Sequence, residues 1–237
     1  MLRSVAEGVW VHEVDLRMPG GVLFPARATL LMLADRALAL HSPLAIDDAT
    51  ARQIDDIGQV RFLIAPSCRH WMHLRRAKER YPDARVLGAP GLEAKLGGLE
   101  FERLPADGAV EGLHGLSVQR IEGAPRLAEH VFLHQASRSL VVADLVFNIH
   151  RSQSSLLRLY LRLARMYRRT AQSIVWRLLV NDRAAAAGSS ATILAWSFDR
   201  VIVAHGDIVD DGARERMREA LAWMLKGAPR LLQPAQR

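Results

Sequence analysis

Polar side chains that can bind a metal ion follow four apolar segments of this 237-residue sequence. In layered α/β folds, the ends of central strands converge on a crevice where ligands bind. Histidine and aspartate at such ends carry the donor atoms of a zinc or iron site. Each residue alone is more typical of a loop or a cap, but the repetition favours one shared site. The segments and the residues that follow them are Ala37–Leu40 with His41, Phe62–Ala65 with His70, Leu140–Ala143 with Asp144, and Val201–Ala204 with His205.

The densest pair of histidines is His70 and His73. If a helix begins by Trp71, the two imidazoles lie three residues apart on one helical face and could share a metal ion. Cys68 stands two residues before His70. It is either a further soft ligand or, as we favour, a buried inert thiol.

The apolar patterns predict the elements that must position these residues. Strands dominate the first 40 residues, strands and helices alternate at about 47–96, and strands return at 116–143. A helical stretch follows at 152–196, with Gly188-Ser189-Ser190 as its only weak point. A last strand, Arg200–Ala204, leads to His205, and a helix follows at Gly212–Leu225. This order predicts one layered α/β domain over residues 1–226 and a loosely held tail at 227–237.

Three segments near the candidate ligands have sharp boundaries. Asp47–Ile57 has the spacing of a helix and ends at Gly58. Val60–Ala65 is a nearly continuous apolar run, which is typical of a strand buried on both faces. Trp71–Arg80 is predicted to form a helix that stops at Tyr81-Pro82.

The composition argues against several classes of function. The net charge is +7 and is carried almost entirely by arginine. This excess favours anionic partners, or equally reflects a compositional bias. No zinc-finger or basic-zipper signature is present, so we expect no nucleic acid partner. The single cysteine cannot form an internal disulfide, and the N-terminus lacks the apolar centre of a signal peptide. We therefore expect a cytoplasmic protein.

Seven short motifs occur in order along the chain. They are FPARATL from Phe24, LHSPL from Leu40, LIAPS from Leu63, YPDARV from Tyr81, APGL from Ala89, ADLVFN from Ala143 and VAHG from Val203. Together they resemble a family that shares a domain of unknown function and that looks like a divergent branch of the metallo-β-lactamase superfamily. The resemblance runs from about Gly8 to Leu225. It implies an αββα sandwich, here with an arginine-rich helical insert at about 152–196.

The resemblance also implies a type of site. Superfamily hydrolases bind one or two metal ions at the sheet edge and use a metal-bound water as nucleophile, because zinc can lower the pKa of that water to about 7. Their ligand signature is His-x-His-x-Asp-His after a central strand, then a later histidine, a bridging aspartate and a last histidine. Asp144 matches the bridging aspartate and His205 the last histidine. The later histidine has no clear counterpart near Glu122–Pro125.

The loop after Val60–Ala65 departs from this signature in either of two alignments. Its His, His, Asp and His positions are filled by Ala65, Ser67, Arg69 and His70, or by Cys68, His70, Met72 and His73. Both alignments lose the acid. The resemblance therefore implies at most one zinc, iron or manganese ion, with His70, His73, Asp144 and His205 as its candidate ligands. Arg27 and His41 are expected to support the site or to contact the substrate.

The insert is rich in arginine, since residues 151–183 contain eight arginines and a single acid, Asp182. Residues 154–181 are predicted to form two helices outside the sheets. Arg158, Arg162, Arg165 and Arg169 recur at helical spacing, while Leu156, Tyr160, Leu163 and Tyr167 line another face. We favour a helix that covers the core and exposes Arg158, Arg162 and Arg165 to solvent. The alternatives are contact with an anionic membrane and a cap that attracts a phosphate-bearing substrate.

Three hypotheses on function follow. The leading one is a metal-dependent hydrolase that acts on a small molecule, with an anionic substrate favoured by the arginines. The second is a non-catalytic binding protein that kept the fold and lost the metals. The third is a peripheral protein that docks on anionic lipid through the arginine-rich helices.

Overall fold

The computed structural model describes residues 1–33 and 36–226, so the predicted tail at 227–237 lies outside the described residues. The strands of this part of the chain form two sheets. The first sheet contains, in spatial order, β1 (Leu2–Ala6), β2 (Val9–Arg17), β3 (Leu23–Met32), β4 (Leu38–His41), β5 (Val60–Ala65), β6 (Arg85–Gly88) and β7 (Glu102–Arg103). The second contains β12 (Arg200–Val203), β11 (Ser139–Val142), β10 (His130–His134), β9 (Leu116–Arg120) and β8 (Asp107–Gly108).

The first sheet changes from antiparallel to parallel pairing at β4. Strands β1 to β4 pair antiparallel, whereas β4 to β7 pair parallel. Parallel neighbours need a crossover connection, and α1 (Asp48–Ile57) and α2 (Leu74–Arg80) supply it on either side of β5. The bounds of β5 are those predicted from its apolar run. Asp47 caps α1 by accepting a hydrogen bond from the Thr50 amide at 2.7 Å.

Helix α2 begins three residues later than predicted. The chain turns first: the His70 amide donates to the Ser67 carbonyl at 3.2 Å, and the Leu74 amide to the Trp71 carbonyl at 3.0 Å. The prediction of a helix from Trp71 is therefore wrong, because these turns replace its first helical turn. His70 and His73 consequently do not share a helical face.

The core divides into three apolar layers that define the architecture. Between the sheets, Leu31 and Ile64 of the first sheet pack in one cluster with Phe132 and Val141 of the second. Outside the first sheet, α1 and α2 bury Ile54 and Leu74. Outside the second, α6 (Arg183–Ala195) and α7 (Ala213–Leu225) bury Ile193 and Met217. The layers run helix, sheet, sheet, helix, which confirms the predicted αββα sandwich.

The insert forms the two predicted helices, α4 (Ser155–Leu163) and α5 (Ile174–Leu178), followed by α6. The prediction of helix throughout 152–196 is wrong at 164–173. There the backbone of Ala171 pairs with Phe147 through hydrogen bonds of 2.8 and 2.9 Å, and Arg165 has a left-handed φ of 55°. The expected weak point at Gly188–Ser190 lies inside α6. The described residues also form the short helix α3 (Glu93–Leu96) and a 3₁₀ turn at Pro19–Gly21.

The faces of α4 differ from the prediction. Arg162 and Arg165 are exposed, as expected. Arg158 is half-buried, because its guanidinium donates to the Ser152 carbonyl at 2.6 Å and to the Ser155 hydroxyl at 2.8 Å. The face that packs on the protein is formed by Leu157 and Leu161, which join a cluster with Phe147. No helix within 1–33 and 36–226 has the length and apolar character needed to cross a bilayer.

Candidate metal centre

Three strand ends bring His70, Asp144 and His205 together. His70 lies in the loop that follows β5, and Asp144 and His205 each follow the neighbouring parallel strands β11 and β12 by two residues. The Ala204 amide donates to the Val142 carbonyl at 3.1 Å, so the two strands leave the sheet together. One atom of each of the three side chains lies within 4.8 Å of the others. Their expected convergence is confirmed.

Asp144 lies between the two imidazoles and contacts one with each carboxylate oxygen. Its Oδ2 is 3.4 Å from His70 Nε2, and its Oδ1 is 3.2 Å from His205 Nε2. The three side chains are mostly buried, with exposed fractions of 9–12%. Two imidazole nitrogens and one carboxylate are a set of three protein ligands, the number that catalytic zinc usually keeps. The donor set therefore fits one divalent transition-metal ion.

A backbone carbonyl orients His205. Its Nδ1 is 2.8 Å from the Pro25 oxygen, and a carbonyl can only accept, so Nδ1 carries the proton and leaves Nε2 free to bind a metal. Phe147 stacks on the imidazole with ring centroids 5.1 Å apart, and Phe24 packs beside it at 4.8 Å. The sequence did not point to this carbonyl, since a backbone atom leaves no signature in residue type.

Glu129 holds the backbone on both sides of Asp144. This buried carboxylate accepts hydrogen bonds from the Ala143 amide at 3.0 Å, the Leu145 amide at 2.8 Å and the Trp176 indole at 3.1 Å. Burial, with the nearby charge of Asp144, raises the pKa of Glu129 to about 7. Sequence reasoning gave this residue no role. The sequence marks it only as an acid immediately before the apolar strand β10.

The charges of the cluster residues shift one another's pKa values. Burial opposes ionisation of the Asp144 carboxyl, but the rings of His70 and His205 outweigh it and hold its pKa well below the usual range. Burial likewise disfavours the charged form of His70, whereas the Asp144 carboxylate raises the pKa of His70 above its ordinary value. Asp144 is therefore the anionic centre of the site.

The other predicted site residues lie around this cluster. His73 precedes α2 and lines the cleft wall, outside the group of three. Arg27 is buried, pairs with Glu13 (Nε to Oε1 2.9 Å), and donates to the carbonyls of Val203 and, at 2.5 Å, Gly206. It thereby ties β3 to the segment that carries His205. Arg27 thus supports the backbone beside His205.

His41 and Cys68 are buried on the first-sheet side. The His41 ring packs edge-on against Phe132 at 5.3 Å, and burial, with the neighbouring His70 ring, lowers its pKa to about 3. The Cys68 thiol donates to the Pro90 carbonyl at 3.3 Å, and burial raises its pKa. The cysteine therefore stays a protonated thiol, which agrees with the prediction of a buried inert thiol.

The geometry distinguishes the two alignments of the loop. His70 meets Asp144 and His205, whereas His73 does not. This matches the alignment in which His70 takes the last histidine position. Ala65 and Ser67 then occupy the two preceding histidine positions, and neither supplies an imidazole nitrogen.

A cleft of about 780 Å³ opens above the cluster. The three candidate ligands line it together with apolar side chains from the sheets and the insert, among them Phe24, Phe147, Leu161, Met166 and Trp176. Arg69 and Arg126 also line it, and both are exposed. Lys95 and the buried Arg27 line it as well, so the cleft combines apolar walls, a polar floor and several cations.

The arrangement of two packed sheets between helical layers is matched by known structures. TMB-1 superposes with a TM-score of 0.64 at 12% identity, covering 94% of this chain and 97% of TMB-1. The mono-zinc form of the metallo-β-lactamase FIM-1 from Pseudomonas aeruginosa gives 0.62 at 17% identity over 99% and 96% of the two chains. The metal-soaked Flv1 flavodiiron core from Synechocystis gives 0.64 at 14% identity over 94% of this chain and 60% of that one.

These likenesses establish the fold. The chain has the metallo-β-lactamase-like fold that its motifs implied. No family model and no curated protein matches the sequence. A fold of this kind hosts many activities, so the function must be argued from the site.

Proposed function

We propose that this protein is a metal-dependent hydrolase that holds one zinc, iron or manganese ion between His70, Asp144 and His205. One observation carries the proposal: the three donor atoms lie within 4.8 Å of one another at the floor of a large cleft. A bound ion would supply Lewis-acid polarisation of a substrate oxygen and activation of water.

The protein's own residues prepare this site. The carbonyl of Pro25 keeps Nε2 of His205 directed at Asp144. Glu129 fixes the backbone before and after Asp144, so the carboxylate is presented in one orientation. The walls of the cleft reduce contact with bulk water, which strengthens electrostatic interactions inside it.

The loop after β5 limits the number of metal ions that we expect. Ala65 and Ser67 occupy positions that would otherwise supply imidazoles to a second ion, and both are buried. We therefore expect at most one ion per chain.

The cleft favours a substrate with an apolar body and an anionic group. Phe24, Phe147 and Trp176 offer apolar contact, and Arg69 and Arg126 offer guanidinium groups suited to carboxylate or phosphate. The expectation of a small anionic substrate agrees with this lining.

A metal-free binding protein is the second candidate. It is favoured by the contact of Asp144 with His70, because the His70 Nε2 can donate to the carboxylate without an ion. The apolar cleft would then bind a ligand without chemical change.

Metal analysis separates the two candidates. Protein without a histidine tag, purified after growth with added zinc, iron and manganese, should carry close to one ion per chain. His205→Ala should abolish this stoichiometric metal because it removes one of three ligands. His73→Ala should retain it, as should His114→Ala, a control at an exposed histidine.

Three results would contradict the proposal. Wild-type protein that carries no metal would favour the binding protein. Two ions per chain would show that the loop from Pro66 to His73 has been aligned wrongly. Loss of the ion in His73→Ala with retention in His114→Ala would restore His73 as a ligand.

A further inference from the structure

Helix α4 has an apolar face that is largely exposed in the described part of the chain. Leu156, Leu159, Tyr160 and Leu163 recur at the spacing of one helical face, and 43–76% of each residue's surface is exposed. The packed face is a different one, formed by Leu157 and Leu161, which are 5% and 1% exposed. The helix thus has two apolar faces, of which the fold uses one.

Other segments extend this exposed surface. From α5 come Ile174, Val175 and Leu178, and from two loops Met18 and Met72, with exposed fractions between 43% and 78%. We call these five residues and the four exposed apolar residues of α4 the apolar rim. Within residues 1–33 and 36–226, Met1 is the only other large apolar side chain so strongly exposed. The four residues of α4 share one helical face, and an exposed apolar face usually marks an interaction site.

Part of the apolar rim borders the cleft. Met18, Met72, Tyr160 and Val175 are exposed and also line the cleft. A molecule bound at this part of the rim would therefore lie next to the cleft.

Cationic side chains accompany the apolar rim. The arginines at 162, 165, 168, 169 and 177 are exposed, and residues 151–181 contain no acid. The ion pairs found in the described part of the chain include none of these arginines. Apolar side chains flanked by unneutralised arginines are the pattern of a surface that lies in the headgroup region of an anionic membrane.

We propose that the apolar rim docks on the surface of a bilayer that contains anionic lipid, with the mouth of the cleft facing the lipid. A second copy of this chain is the less suitable occupant, because it would bring like-charged arginine clusters together on a chain of net charge +7. Anionic headgroups neutralise the same arginines. The proposal does not depend on a metal ion.

Vesicle flotation tests the docking. The full chain should float with vesicles of phosphatidylcholine and phosphatidylglycerol at low salt and much less with phosphatidylcholine alone. Salt should weaken binding, because it screens the attraction between arginines and headgroups. Absence of binding to anionic vesicles at low salt would overturn the proposal.

Paired variants locate the contact. Leu159→Gln/Leu163→Gln should weaken vesicle binding about a hundredfold, since two leucines no longer enter the lipid. Arg162→Glu should weaken it about tenfold or more. Arg52→Glu reverses one charge on an exposed arginine of α1 and should leave binding close to that of the wild type.

Two further outcomes would overturn the proposal. One is vesicle binding that responds equally to Arg162→Glu and Arg52→Glu, which would indicate diffuse attraction by net charge. The other is a dimer in sedimentation experiments that Leu159→Gln/Leu163→Gln disrupts, without vesicle binding by the wild type. That result would assign the apolar rim to a second copy of the chain.

Discussion

The His–Asp–His cluster lines the cleft and part of the apolar rim borders the same cleft, yet the fold buries the cluster and leaves the rim exposed. The cluster residues are 9–12% exposed and meet one another at 3.2–3.4 Å. The rim residues are 43–78% exposed, and their flanking arginines have no acidic partner among the described ion pairs. The cluster is therefore held by the fold, whereas the side chains of the rim are largely outside its packing.

Phe147 connects the two regions. Its ring stacks on His205 at 5.1 Å, and it also belongs to the apolar cluster that buries Leu157 and Leu161 of α4. The packed face of α4 thus contacts the site, while the exposed face of the same helix does not contribute to the core. Substitutions in the two regions should accordingly differ in what they change.

The largest effect is expected in the support of the cluster. Glu129→Ala leaves the Ala143 and Leu145 amides and the Trp176 indole without their acceptor. The free energy of unfolding should fall by about 4 kcal/mol, because buried donors would be left unpaired. Urea unfolding measures this. Glu129→Gln keeps the shape of the side chain and one acceptor oxygen, so its free energy of unfolding should fall less. An equal fall in both variants would mean that the charge of Glu129, and not its acceptor oxygens, stabilises the protein.

An intermediate effect is expected at the connection between the regions. Phe147→Ala should lower the free energy of unfolding by about 3 kcal/mol, since it opens a cavity beside α4. It should also lower metal occupancy, because His205 loses its stacked ring. Phe101→Ala, at a partly buried ring just before β7 that packs on the apolar cluster outside the first sheet, should reduce stability alone. Full metal occupancy in Phe147→Ala would show that packing beside α4 does not affect the metal site.

The smallest effect on stability is expected in the apolar rim. Leu163 is 76% exposed and Leu161, on the same helix, is 1% exposed. Leu163→Ala should change the free energy of unfolding by less than about 0.5 kcal/mol, whereas Leu161→Ala should cost about 3 kcal/mol. Thermal or urea unfolding compares the pair. A large fall in the free energy of unfolding of Leu163→Ala would show that the exposed face of α4 packs within the protein. The contrast between the cluster and the apolar rim would then be wrong.

Local patterns in the sequence were enough to predict much of the fold. The apolar run of β5 predicted its bounds, and Asp47 and Gly58 marked the ends of α1. The strand ends before His70, Asp144 and His205 predicted their convergence: β11 and β12 are parallel neighbours, and the loop after β5 of the facing sheet meets them. The bounds of β5 and α1 depend only on residues that are near one another in the chain.

Other features needed contacts between distant segments. The break of the insert at 164–173 depends on pairing of Ala171 with Phe147, and the late start of α2 moves His73 away from the cluster. The Pro25 carbonyl that orients His205 lies 180 residues away in the chain.

The choice of the packed face of α4 shows the difference between sequence and tertiary structure most clearly. The sequence by itself determined that α4 is an amphipathic helix with leucines and arginines at helical spacing. Only the tertiary structure decided that Leu157 and Leu161 pack beside Phe147 while Leu156 and Leu163 stay exposed. The reason is that helical periodicity places apolar side chains on faces, but burial depends on which face meets another apolar surface in space.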